Sequence, residues 1–110
     1  TFNIIYLIRS AGNSVRVVDQ VEREGLGEGF VLMVAESNRL EVYEYGSVDE
    51  RLEVEKVISP DGATVAGSAM DWEDSPHFFH TDKTIILYQG NDADNVAQLA
   101  SVFGSQFAGK

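Results

Sequence analysis

The residues best suited to chemistry are the two histidines, His77 and His80, spaced His-x-x-His with Asp71, Glu73, Asp74 and Asp82 nearby in sequence. On a helix that spacing sets both imidazoles over one turn, where they can share a divalent cation and the acids can add oxygen ligands. Here the histidines flank Phe78 and Phe79 just after Pro76, in a loop or at the start of a strand. Strand residues three apart point to opposite faces. The plainer expectation is two surface histidines beside a buried aromatic pair. His77, His80, Asp71 and Asp74 remain the only metal candidates, and weak ones.

Adjacent carboxylates offer a second kind of chemistry. Glu53 with Glu55, Asp92 with Asp94, and Asp71 with Glu73 and Asp74 all lie close in sequence. General acid–base work needs two carboxylates converging on one cleft with separated pKa values. With 18 acidic residues against 8 basic ones, such clusters arise without function. Asp92 and Asp94 are accounted for by helix capping, and Asp92-Ala93-Asp94 lacks the later ligands of a calcium-binding EF-hand loop.

The glycine-rich stretch Gly25-Leu26-Gly27-Glu28-Gly29 precedes a strand rather than a helix, and its acids would repel phosphate. It reads as a surface loop or hairpin connection. No Gly-x-Ser-x-Gly elbow occurs, and the absence of cysteine excludes disulfides, thiolate metal sites and thiol nucleophiles. Trp72, Phe78, Phe79 and Tyr88 are expected in the core or at an interface. The sequence therefore names no catalytic residue, no cofactor and no metal.

The elements that must position these groups fit one domain of 110 residues, 44% hydrophobic. Residues 1–11 fit either a strand or a helix capped by Thr1 and stopped at Gly12-Asn13, with helix favoured. Strands are expected over Ser14–Val21, Phe30–Ala35, Arg39–Tyr45, Thr64–Trp72 and Lys83–Gln89. Glu22–Gly29 reads as a loop, and Glu36-Ser37-Asn38 as a turn. Ser47 with Glu50 forms a capping box, starting a helix that should end near Ser59, before Pro60. Val96, Leu99, Ala100 and Phe103 mark a final helix stopped by Gly104.

The order is α-β-β-β-α-β-β-α. It predicts an α+β fold: a single, mainly antiparallel sheet of about five strands, with the two later helices covering one face.

The formal net charge of −10 argues against nucleic acid and anionic membrane surfaces. A solvated acidic surface accounts for most of it, and the sharper reading is a basic partner or bound cations. The longest nearly apolar run, Ile4–Ile8, is too short to span a bilayer. The chain opens on Thr1 rather than Met, so a processed or trimmed form is expected, in which any targeting segment is already gone.

Several linked segments resemble a group of uncharacterised small bacterial proteins with lipoprotein-type domains. They are Leu7-Ile8-Arg9-Ser10-Ala11-Gly12-Asn13-Ser14-Val15, Val42-Tyr43-Glu44-Tyr45, Ile58-Ser59-Pro60-Asp61-Gly62, Pro76-His77-Phe78-Phe79, Thr84-Ile85-Ile86-Leu87-Tyr88-Gln89-Gly90 and Phe103-Gly104-Ser105-Gln106-Phe107-Ala108-Gly109. The resemblance implies a helical first segment stopped at Gly12. It also implies an exported protein tethered through a lipid-attachment cysteine, and it carries over no activity.

Three functions are then expected in order. The first is a non-enzymatic binding or structural module with a protein or peptide partner. The second is a small metal-binding or hydrolytic domain using His77 and His80. The third is an acidic inhibitor or immunity protein for a basic partner.

Overall fold

Leu40 and Val42 on one face of a strand and Tyr43 on the other are all fully buried. So are Ile85, Ile86 and Leu87 of another. A strand that buries both faces must lie inside a sheet covered on both sides. The computed structural model describes residues 2–36 and 38–109, and it shows that arrangement.

The elements run α1 (Phe2–Ser10), β1 (Val15–Arg23), β2 (Gly27–Val34), β3 (Asn38–Glu44), α2 (Val48–Lys56), β4 (Thr64–Val65), β5 (Ser68–Ala69), β6 (Pro76–Thr81), β7 (Thr84–Gln89), α3 (Ala93–Phe103) and β8 (Ala108–Gly109). Six strands form an antiparallel sheet in the order β1-β2-β3-β7-β6-β8. β4 and β5 form a separate two-stranded hairpin. The fold is α+β, as the element pattern predicts.

One face carries Leu32, Val34, Leu40, Val42, Phe79, Ile86 and Tyr88, packed under α1 (Ile4, Ile8) and α3 (Val96, Leu99, Phe103). The other carries Tyr43, Phe78, Ile85 and Leu87 with Leu26, Val65, Ala108 and Val54 of α2. The two later helices therefore lie on opposite faces, not together on one. The reason is that α3 has a continuous apolar stripe, whereas α2 has almost none. Its only buried residue is Arg51, held by Glu55 at 2.7 Å.

Three local expectations change. Strand β1 runs on to Arg23 and β2 begins at Gly27, so the expected loop over Glu22–Gly29 shrinks to three residues. Leu26 N–H closes it on Arg23 C=O at 3.1 Å, with Gly25 at φ +82°, the value a type II turn needs at its third position. The expected strand over Thr64–Trp72 folds back on itself at Ala66-Gly67 and becomes the β4–β5 hairpin. Finally, α2 ends at Lys56, because Ile58 leaves the helix to bridge Val65. Thr1, expected as an N-cap, and Ser37, in the expected β2–β3 turn, lie outside the described residues.

The α2 start follows its sequence signal. Ser47 Oγ accepts from Glu50 N–H at 3.1 Å, and the Glu50 carboxylate reaches back to Gly46 N–H at 2.9 Å. Because α2 lacks an apolar stripe, this cap matters more than usual. Ser47→Ala is expected to cost about 1 kcal/mol in urea unfolding, with loss of helical signal ahead of the main transition.

Candidate functional site

A buried polar cluster lies on the α2 face of the sheet, and sequence reasoning missed it. Its centre is Glu41 on β3, only 9% exposed and directly opposite Leu87. A carboxylate this deep is tolerable only if its lone pairs are taken. Arg23, at the end of β1, supplies a two-pronged pairing, Nε to Oε1 at 2.6 Å and Nη2 to Oε2 at 2.7 Å. The Tyr43 hydroxyl donates to Oε1, and Gln89 Nε2 donates to Oε2 at 3.1 Å.

Further contacts hold these partners in place. Gln89 Oε1 accepts from Glu73 N–H at 3.0 Å. The Arg23 guanidinium lies 4.9 Å from the centre of the Trp72 ring, and Trp72 Nε1 donates to Gly62 C=O at 2.7 Å. The Tyr43 ring lies over Gly29, where an added Cβ would come within 2.8 Å of it. One carboxylate thus gathers β1, β3, β7 and the segment around Trp72.

Electrostatics lock the cluster. Burial pushes the Glu41 carboxyl up, but hydrogen bonds from Arg23 and Tyr43 and the Arg23 charge bring it below the ordinary carboxylate value. Burial, then the bond to Glu41, pushes the Tyr43 hydroxyl well above the usual phenol range. The hydrogen bond to Glu41 raises Arg23 further. Near neutral pH none of the three gives or takes a proton, so the cluster has no acid–base pair poised for catalysis.

The sequence candidates are dispersed. His77 and His80 both sit on β6 and face opposite sides of the sheet. His77 is buried rather than on the surface. Its Nε2 lies 2.9 Å from Gly90 C=O and its Nδ1 2.8 Å from Gln106, with the ring stacked on Tyr88. The Gly90 carbonyl can only accept, so Nε2 carries a proton. His80 is half-buried under α2, with Nδ1 3.0 Å from both Glu55 oxygens and its ring stacked on Phe107.

Asp74 accepts from Ser75 N–H and Asn91 Nδ2 in a surface loop, and Asp71 is exposed. Glu53 and Glu55 part company: Glu53 pairs with Lys56, while Glu55 turns inward to Arg51 and His80. Among the described residues, no group of three or more His, Asp or Glu is placed to hold a metal ion. Trp72, Phe78, Phe79 and Tyr88 are all packed into the two cores.

Two concavities flank β1. On the α2 face, a cleft of about 390 Å³ is floored by Val31, Glu41 and Leu87 and rimmed by Asp19, Arg23 and Arg39. A second, of about 730 Å³, lies at the β1–β2 hairpin end of the sheet, with Gln20, Glu22, Glu28, Phe30, Glu44 and Tyr45 in its lining. Glu22 and Glu28 are directly opposite each other across β1 and β2. No family model, no curated protein and no solved structure matches this chain. Its chemistry therefore has to be read from its own side chains.

Glu41→Gln keeps the shape and removes the charge. It is expected to lower stability by about 2–3 kcal/mol at pH 7, because Arg23 loses its ionic partner in a half-desolvated place. The pH dependence has a definite sign. Native Glu41 sits below its unfolded value, so its contribution is whole above about pH 5 and is lost as pH falls through the lowered native value. Urea unfolding of the two proteins should therefore converge on acidification.

Proposed function

We propose that this domain is a non-enzymatic binding module for a protein partner, with its recognition surface at the β1 side of the sheet. The observation that carries the reading is the contrast between the two kinds of polar group there. The buried charges of Arg23 and Glu41 are spent on each other, whereas the carboxylates of Glu22 and Glu28 face each other with no cation between them among the described residues. Like charges directly opposite on a sheet are destabilising. A surface that keeps them gains when a positively charged partner arrives. The acidic-inhibitor reading uses the same surface and differs only in what the partner does.

The resemblance to lipoprotein-type domains supports an exported, membrane-tethered setting. No described helix is long and apolar enough to cross a membrane. Fractionation of cells expressing the native gene tests the setting, with recovery in the soluble cytosolic fraction counting against it.

The metal-binding alternative finds less support, since His77 and His80 point away from each other. Calorimetry with zinc, nickel and calcium is expected to show no saturable heat. Saturable heat abolished by His80→Ala would favour the metal reading instead.

Selection of displayed random peptides on the folded domain tests binding itself. Enrichment of lysine- and arginine-bearing ligands that compete with one another is expected. No enrichment over an unrelated acidic protein would contradict the reading.

A further inference from the structure

We propose that the outer edge of β1 from Gln20 to Arg23 takes up an extended, basic segment of a partner protein by strand addition, which rests on the binding reading above and gives it a mode. Among the described residues, β1 is the terminal strand of the sheet and pairs only with β2. The register shifts between Val17 and Asp19, which leaves Gln20–Arg23 as a regular stretch. Gln20 N–H is bonded by the Asp19 carboxylate at 2.8 Å, so this amide is turned to the open edge and not to β2. Backbone groups alternate along a strand, and those of Glu22 face outward in the same way. An incoming strand finds the Glu22 groups available, while Gln20 N–H is already held by Asp19.

Its side chains would alternate between the two concavities. On one side they meet Glu22 and Glu28, with half-buried Phe30 beneath. Lysine and arginine fit there, with their aliphatic stems on the ring and their charge on the carboxylates. On the other side they meet the rim of Asp19 and Arg39 over Val31 and Leu87, which suits short side chains.

The same acids give selectivity. A second copy of this chain would bring its own Glu22 to the edge, so self-pairing is opposed. The bulge restricts pairing to about four residues, which makes the contact small and reversible.

The test uses three ten-residue peptides on the intact domain. One carries lysine at alternate positions among threonine and valine. One replaces each lysine with glutamate. The third repeats the lysine peptide with alternate backbone amides N-methylated, which keeps the charge and removes strand pairing. Amide NMR titration and hydrogen exchange are the readouts.

The lysine peptide is expected to shift the amides of Gln20–Arg23 and to slow exchange at Glu22 about tenfold or more. N-methylation and the exposed-site variant Glu22→Lys/Glu28→Lys should each weaken binding about tenfold or more, and the glutamate peptide should not bind. Equal binding after N-methylation, or shifts confined to another surface, would overturn strand addition. No binding by the lysine peptide would also overturn it. The wider binding reading would then stand or fall on the peptide selection alone.

Discussion

A carboxylate in the middle of a sheet face has to be answered by donors, and the answer to Glu41 shapes much of this molecule. Each of its oxygens is matched: Arg23 from β1, Tyr43 from its own strand, Gln89 from β7. None of these partners is close in sequence to all the others. The pairing can form only when β1, β3 and β7 reach their native register. Placing apolar residues there would also fill the space, and buried ion pairs are often no more stable than such replacements. What the ionic version adds here is a fixed position for Arg23 and, through it, for Trp72 and the segment it leads.

The same constraint divides the polar groups by role. Inside, the charges of Arg23 and Glu41 are matched and the cluster's protonation is locked. Outside, on the neighbouring end of the sheet, Glu22 and Glu28 face each other across adjacent strands. The sheet holds these acids because strand pairing, not charge, sets their spacing. α2 shows a related economy. It has little apolar surface, so it docks through Arg51, Glu55 and His80 together with Val54.

Much of the fold was legible in the residues. The capping box at Ser47 and Glu50, the stripe Val96–Leu99–Phe103 and the strand within Lys83–Gln89 all follow local rules that distance in sequence does not disturb. What escaped depended on long-range partners. Arg23 was hidden in a stretch read as loop, and only its place at the end of β1, opposite Gly27, brings it to Glu41. His77 looked exposed because it is polar and follows a proline. It is buried because Gly90 and Gln106, distant in sequence, satisfy both ring nitrogens. The β4–β5 hairpin did leave a signal, the Ala66-Gly67 pair, but its strands are two residues long and fall below any periodicity.

The central claim is that the buried cluster around Glu41 is structural and that its protonation is frozen around neutral pH. Carbon-detected NMR titration of the Glu41 carboxyl and the Tyr43 phenol in the native protein addresses it directly. The account predicts that Glu41 stays ionised below the pH at which exposed glutamates protonate, and that Tyr43 keeps its proton beyond the usual phenol range. A midpoint for either group between about pH 6 and 8, the window in which acid–base catalysts are poised, would contradict it.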